Sequence, residues 1–171
     1  MILPEVRDPR LVTIRRGGQL TDDDHRLLAE WAATCAEHVL PLFESVRPDD
    51  DRPRVAIGHV RGWVRREVKM MESRAAGGHV MGAARPLRGA ARFAAYAAGQ
   101  AACVPHVAEH DLGAAAYAIK AVRAAAVGDR AAVDGRAECA WQLAQLPVEI
   151  RELVLEDQRR RNDICWWVFD R

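Results

Sequence analysis

The sequence predicts an all-α protein: a compact bundle of about six helices joined by short loops, preceded by an irregular or short-strand N-terminal arm. Three observations predict this fold. Apolar residues recur at helical spacing almost throughout the chain after residue 20, Ala dominates the apolar half of the composition, and no strand-rich block or long linker interrupts the pattern. A chain of 171 residues can bury a hydrophobic core without staples. We therefore expect an arm over residues 1–20 and a single all-helical domain over residues 21–171.

The arm contains "LVTI" (Leu11–Ile14) followed by Gly17-Gly18, which suits a short strand or an extended segment that ends at the glycines. The first helix is predicted to begin at Thr21, because Thr is a good N-cap and three aspartates follow it at the positive end of the helix dipole. Pro41 is expected to end or kink this helix.

The second helix is predicted to follow an Asp51 cap, with Pro53 in its first turn, where the missing N–H costs nothing. Its apolar stripe continues to Met71, and "AAGGHVMG" (Ala75–Gly82) is expected to be a break. Prolines and glycines then divide the rest of the chain into four helices, at about Pro86–Ala102, Pro105–Gly128, Arg130–Leu146 and Pro147–Phe169.

Charge and cysteine usage exclude several classes of protein. The formal net charge is +1, so we expect neither nucleic acid nor a membrane as a partner. The four cysteines form no C-x-x-C pair, the N-terminus lacks a secretory signal, and no apolar run is long enough to span a bilayer. These features predict a cytoplasmic protein with reduced, mostly buried thiols.

The stretch "CVPHVAEHDL" contains an H-x-x-E-H string formed by His106, Glu109 and His110. That pattern occurs in inverzincin zinc peptidases, which need a third ligand and a much larger chain, so this reading is not favoured. A simple site in which His106 and His110 bind a metal together with His79, or with His38, is an alternative. No metal or cofactor is expected, and zinc would be the alternative.

On a helix that includes both histidines, one face would carry His106, His110, Tyr117 and Lys120 in an otherwise apolar surface. Burying such groups without partners is costly, so we expect either an internal hydrogen-bond network or a small-molecule pocket. Glu67 falls on the inward stripe of the second helix, close to Trp63, where an ion pair is favoured over a general base. The pocket candidates are therefore His106, His110, Tyr117, Lys120, Glu67 and Trp63, and no catalytic residue is identified.

Three further segments carry charged or aromatic side chains, and two of these segments have two interpretations each. Arg85, Arg88 and Arg92 share a face, which is a solvated surface or a contact for an anionic ligand. "EDQRRRND" (Glu156–Asp163) is interpreted as surface ion pairing. "CWWVF" (Cys165–Phe169) either packs the last helix onto the core or provides an exposed anchor for a partner or a second subunit, and a homodimer is compatible with it.

Three segments, "LLAEWAATCAEHVLPLF", "DDDRPRVAIGHVRGWVRRE" and "AYAAGQAACVPHVAEHDLGAAAYAIKAV", resemble in that order the Imm-5-like putative immunity proteins of bacteria. The resemblance covers about residues 21–126. Its most specific parts are the D-R-P-R turn with a Trp a few residues on, and the helix H-V-x-x-H-x-x-G-A-A-x-Y-A-x-K-A. The N-terminal arm and "RELVLEDQRRRNDICWWVFD" lie outside it.

The resemblance implies an all-α fold and a non-enzymatic protein that neutralises a protein toxin by stoichiometric binding. Two alternatives remain open. One is a small-molecule-binding resistance protein, or a small tailoring enzyme of a biosynthetic pathway, with a polar pocket beside His106 and His110. The other is a helical metal-binding protein.

Overall fold

The structure is a computed structural model that describes residues 3–170. It is all-α, as the sequence predicts. The α-helices are α1 (Asp22–Val39), α2 (Pro41–Glu44), α3 (Arg52–Val64), α4 (Met70–Ala84), α5 (Gly89–Cys103), α6 (His110–Ala125), α7 (Ala131–Ala144) and α8 (Val148–Arg161). Short 3-10 turns occupy Pro9–Leu11, Ile14–Arg16 and Gly128–Arg130. Among the described residues, no helix is both long and apolar enough to cross a membrane.

The N-terminal arm is irregular and packs against α8. Its only β-type pairing in the described residues is an isolated bridge between Thr13 and Leu20, and Leu20 is buried. Ion pairs hold the arm in place: Arg10 pairs with Glu156, and Asp8 pairs with Arg160 at 2.5 Å. The arm is therefore fixed by charge pairing with the last helix as well as by burial of its leucines.

The first helix begins where the sequence predicts, because Thr21 Oγ1 accepts a hydrogen bond from the backbone N–H of Asp24 at 3.0 Å. Pro41 separates α1 from the single turn of α2. The buried side of α1 includes Trp31, whose indole N–H donates to the carbonyl oxygen of Gln142 at 2.9 Å. This hydrogen bond ties α1 to α7.

Helix α3 ends at Val64, earlier than the predicted stripe that continues to Met71. The chain turns through Arg66, whose φ is 67°, and the N–H of Glu67 donates to the carbonyl oxygen of Gly62 at 2.8 Å. Val68 then folds back onto Gly62, where an added Cβ would lie 2.5 Å from Val68 Cγ2. The break between the second and third long helices is therefore at residues 65–69.

The predicted break at Ala75–Gly82 is wrong, because α4 runs through this segment without interruption. The reason is a close contact with α5. A Cβ added at Gly77 would lie 2.8 Å from the carbonyl oxygen of Gly99 and 2.9 Å from Cys103 Sγ. Gly lowers helix stability by up to about 1 kcal/mol relative to Ala, but packing against a neighbouring helix provides most of a helix's stability and outweighs that cost.

Helices α5 and α6 form the centre of the bundle, and α1, α3, α4 and α7 pack around them. Their contact surfaces consist mostly of small side chains. The buried residues of α5 are Ala91, Ala94, Ala95, Ala97, Ala98, Gly99, Ala101 and Ala102. Those of α6 include Ala114, Ala115, Ala116, Ala118 and Ala121. The two backbones can approach closely along these positions because mostly methyl groups lie between them.

The last helix ends at Arg161, well before the predicted end at Phe169. The remaining segment, residues 162–170, turns back on itself. The N–H of Trp167 donates to the carbonyl oxygen of Asn162 at 2.8 Å, and Asn162 Oδ1 accepts from the N–H of Phe169 at 3.1 Å. Cys165, Val168 and Phe169 are buried, so this C-terminal turn is part of the folded core.

Candidate functional site

His110 is the first residue of α6, and its half-buried side chain contacts α5. Its Nδ1 lies 2.7 Å from Gln100 Oε1 on α5. Because an amide oxygen only accepts hydrogen bonds, this contact places the proton of the neutral ring on Nδ1. Desolvation lowers the pKa of His110 to about 4, although the nearby Glu109 opposes the shift. His110 is thus a neutral partner in an internal hydrogen bond.

His106 does not share a helix face with His110, because α6 begins at residue 110 and His106 lies in the preceding turn. The predicted alignment of His106 with Tyr117 and Lys120 is therefore wrong. The turn forms because the N–H groups of His106 and Val107 donate to the carbonyl oxygen of Cys103 and the helix does not continue. The Nδ1 atom of His106 is buried and has no hydrogen-bond partner among residues 3–170.

His106 and Trp63 line one cavity of about 210 Å³, together with His25, Arg15 and Arg16. The ring of His25 meets Trp63 edge to face, with the ring centroids 4.9 Å apart, and its Nε2 lies 2.8 Å from the carbonyl oxygen of Val104. Desolvation lowers the pKa of both histidines. The structure therefore brings two of the six pocket candidates to the same cavity.

Glu67 lies outside this cavity, and its predicted inward position is wrong. The residue follows the end of α3, is exposed, and forms an ion pair with Arg65 at 2.8 Å. The hydrogen bond from Arg65 lowers the pKa of the Glu67 carboxyl group. The helical stripe was extended beyond Val64, where the helix stops, and this is why the sequence misplaced the side chain.

Tyr117 and Lys120 belong to a different cluster, which we call the aromatic platform and which consists of Phe93, Tyr96, Tyr117 and Trp166. The ring centroid of Tyr117 lies 5.1 Å from that of Tyr96, 5.1 Å from that of Trp166 and 6.2 Å from that of Phe93. Lys120 Nζ lies 3.6 Å from the centroid of Trp166 and 4.8 Å from that of Phe93. Desolvation raises the pKa of Tyr117 and lowers that of Lys120.

Trp166, which belongs to the aromatic platform, is followed in the chain by a second tryptophan, Trp167. Trp166 and Trp167 have φ angles of 59° and 57°, and they are 41% and 60% exposed. The left-handed conformation costs a non-glycine residue roughly 1–2 kcal/mol, so the surrounding hydrogen bonds and buried neighbours must hold this turn. Both indoles are consequently presented to solvent in a fixed arrangement. Cys165, Val168 and Phe169 pack onto the core, as the first interpretation of "CWWVF" expects, whereas Trp166 and Trp167 are exposed. The second interpretation, an anchor for a partner or a second subunit, stays a prediction.

The histidines proposed as metal ligands lie apart. His79 is exposed on α4, and His38 pairs with Glu138 at 2.8 Å while stacking on Trp141 with the ring centroids 3.6 Å apart. Over residues 3–170, no group of three or more His, Cys, Asp or Glu side chains is arranged to hold a metal ion. The H-x-x-E-H string therefore gives no ligand set within the described chain.

The sequence analysis missed a buried charge network at the start of α6. Arg161 donates to Asp157 Oδ1 at 2.9 Å and to the carbonyl oxygen of Glu109 at 2.9 Å, and it lies 3.4 Å from Asp111 Oδ1. Arg7 pairs with both carboxylate oxygens of the buried Glu109. The i, i+4 spacing of Asp157 and Arg161 was the available signal, but its interpretation as surface pairing is wrong because both residues are buried.

Asp111 is the member of this network whose carboxyl group is only partly satisfied by its neighbours. Desolvation raises its pKa to about 7, against the opposing effect of Arg161, and the neighbouring Asp157 and Glu109 add to the rise. Its Oδ2 atom is buried and accepts no hydrogen bond within the described part of the chain, while its Oδ1 accepts from the N–H of Leu112. The network holds α8 and the arm against α6, and it includes none of the six pocket candidates.

Comparison with known proteins agrees with the resemblance seen in the sequence. The family model of Imm-5-like putative immunity proteins matches residues 18–149, which include α1 to α7 and the first residues of α8. No curated protein matches the chain, and no solved structure matches it. The chain belongs to the Imm-5-like putative immunity protein family.

Proposed function

We propose that this protein is a non-enzymatic binding protein that neutralises a protein toxin by forming a stoichiometric complex with it. Membership of the immunity-protein family supports the general role. The observation that carries the proposal is the pair Trp166 and Trp167, both exposed and both held in a left-handed turn. Trp is enriched among the residues that dominate protein–protein binding energy, and a pre-ordered side chain loses little entropy on binding.

The small-molecule alternative has less support. Pockets for drug-sized ligands measure about 300–1,000 Å³, whereas the cavity beside His106 measures about 210 Å³. His110 already has an internal partner in Gln100 and contributes nothing to that cavity. The metal alternative requires three ligands that lie together, and the proposed histidines are separated.

Growth rescue tests the proposal. Protein toxin domains encoded in the source genome are expressed one at a time in a heterologous host, with and without this chain. We expect the chain to restore growth against one of them, and we expect the two proteins to co-purify as a complex with a fixed molar ratio. Toxicity measured in vitro should then decline linearly with added chain and vanish at one equivalent per binding site.

A variant that cannot fold serves as the negative control. Gly77→Leu places a large side chain where even a Cβ would meet the backbone of α5, so this variant should not fold and should not protect the host. Failure of the wild-type chain to protect against every toxin domain would overturn the proposal. Protection at far less than one equivalent would overturn stoichiometric binding, since it would require turnover.

A further inference from the structure

Cations surround the aromatic platform, and the segments that carry them contain no acidic residue. Lys120 and Arg92 contact the rings directly: Lys120 Nζ lies over Trp166, and Arg92 donates to the hydroxyl oxygen of Tyr96 at 3.1 Å. Arg88 is the N-cap residue of α5, one turn before Arg92, and Arg85 is the C-cap residue of α4. Residues 73–108 and 112–128 contain no Asp or Glu, although the chain has 24 acidic residues in total.

These cations lack the ion pairs that the molecule forms elsewhere. Within the part of the chain that the structure describes, Arg85, Arg88, Arg92 and Lys120 form no salt bridge, whereas Arg7, Arg10, Arg160 and Arg161 are each paired with carboxylates. Other cations of the described chain also lack ion pairs, but Lys120 and Arg92 in addition contact the rings of the platform directly. A partner with carboxylates at matching positions would provide the missing counter-charges.

The C-terminal turn carries two carboxylates, Asp163 and Asp170, and Asp170 accepts a hydrogen bond from Asn162 Nδ2 at 2.6 Å. Over residues 3–170, neither forms a salt bridge with Lys120 or Arg92. In the same part of the chain the contacts of Lys120 Nζ are with ring faces, so its N–H groups can donate to a partner. An ammonium group that is partly desolvated and fixed in position is well suited to a carboxylate of a partner.

Two other occupants fit less well. A second copy of this chain, docked symmetrically through the same face, would bring two positively charged faces together without supplying carboxylates from α5 or α6. A single-stranded nucleic acid would need separate ring faces on which its bases could stack. Here Tyr117 contacts three other rings of the platform, and only the two tryptophans at its edge are exposed.

We infer that the aromatic platform, with Trp167, Lys120 and Arg92, is the surface that binds the toxin, and that the toxin presents an acidic patch around an apolar centre. This inference rests on the proposed function. The two tryptophans lie beyond residue 149, where the family match ends, whereas Lys120 and Arg92 lie inside it. The C-terminal turn therefore lies outside the part of the chain that matches the family model.

The test uses the toxin domain that the growth rescue identifies, with dissociation constants measured by calorimetry. Lys120→Glu and Trp167→Asn should each weaken binding by at least about 30-fold, the loss typical of a dominant interface residue. Asn is chosen because it tolerates the left-handed backbone at this position. The wild-type complex should also weaken as salt is raised, and Lys120→Glu should reduce that dependence.

Arg47→Glu is the matched control, since it makes the same change in net charge on the exposed loop before α3. It should alter the dissociation constant by less than about 3-fold, as expected for a charge outside the interface. Circular dichroism must show that all three variants keep the helical fold.

A toxin bound equally well by Lys120→Glu, Trp167→Asn and the wild type overturns this inference and leaves the proposed function standing. The absence of any neutralised toxin overturns the proposed function and the inference with it. Two further results overturn the inference alone: binding of oligo-dT that is lost in Lys120→Glu, and a wild-type dimer in light scattering that becomes a monomer in Trp167→Asn.

Discussion

Gln100 and His110 face each other across the central helix pair, with Gln100 Oε1 2.7 Å from His110 Nδ1. Gly113, one turn further along α6, makes room for the amide, because an added Cβ there would lie 2.3 Å from the same oxygen. The contact therefore lies where α5 and α6 pack together, and both residues are half-buried. We interpret it as a structural hydrogen bond between the two helices.

Removing either partner of this pair should destabilise the fold. His110→Ala and Gln100→Ala should each lower the free energy of unfolding by about 1–3 kcal/mol, because each leaves a buried polar group without a partner. The double variant should lose less than the sum of the two. Urea unfolding measures these differences, and His79→Ala, on the exposed side of α4, is the control with no expected change. Unchanged stability in His110→Ala would contradict a structural role.

The buried carboxyl group of Asp111 should make stability depend on pH. Its pKa is about 7 in the folded protein against an ordinary value of 3.8, so the folded state binds the proton more tightly than the unfolded state does. Stability from this group is therefore fully present below about pH 4 and is lost as the pH rises toward 7. Asp111→Asn mimics the protonated form and should raise the melting temperature, with a clearly larger rise at pH 8 than at pH 5.

His110 acts in the opposite direction over the same range. Its pKa is about 4 in the folded protein against an ordinary 6.5, so its contribution is present above pH 6.5 and is lost as the pH falls toward 4. Asp111→Asn should consequently show a steeper rise in melting temperature from pH 5 to pH 8 than the wild type. Identical pH profiles for the two proteins would mean that Asp111 is ionised throughout.

The ion pair between Arg7 and Glu109 should contribute to stability mainly by preventing an unpaired buried charge. Arg7→Ala leaves the Glu109 carboxylate buried without its counter-ion, and the loss should reach about 3 kcal/mol. Adding Glu109→Gln to that variant should recover part of the loss. Thermal unfolding measures both, with Arg15→Ala as the control, because its pair with Asp22 is largely exposed and should contribute less than about 1 kcal/mol. Equal losses in Arg7→Ala and in the double variant would argue against this account.

Two neighbouring glycines of α4 should respond oppositely to the same substitution. Gly77→Ala should destabilise the protein, because the new methyl group would lie 2.8 Å from the carbonyl oxygen of Gly99. Gly78→Ala meets no atom within 4 Å and should stabilise the helix by up to about 1 kcal/mol. Chemical denaturation of the two variants checks the sign of each change. A gain in stability for Gly77→Ala would show that α4 and α5 can separate without cost.

The sequence predicted helices well where local chemistry decides the boundary. Thr21 and Pro41 delimit α1 as expected, and Pro53 lies in the first turn of α3. The predicted boundaries were wrong where a contact with a distant part of the chain determines the structure. The glycines of α4 suggested a break because the neighbouring helix, which packs closely on Gly77, is not visible in the local pattern.

The candidate site was predicted only in part, for a similar reason. His106 was placed on α6 because Pro105 suits a first turn, but the helix begins at His110, where Arg161 and Arg7 bind Glu109 from distant parts of the chain. Tyr117 and Lys120 were singled out as polar groups that need partners, and the structure places both beside Trp166. Their partner Trp166 could not be foreseen, because it reaches them through a left-handed turn of the last segment.

The methyl-lined contact between α5 and α6 also limits how this molecule can change. In most interiors, truncating a large side chain does the greatest harm, because it leaves a void. Here the buried positions of α5 are all Ala or Gly, so truncation removes almost nothing, and enlargement is what would force the helices apart. A saturation mutagenesis screen of α5 should therefore show that larger side chains at these buried positions are more harmful than smaller ones, which is the reverse of the usual pattern. A new binding surface should therefore evolve through substitutions at exposed residues, whereas the buried residues of α5 should accept only small side chains.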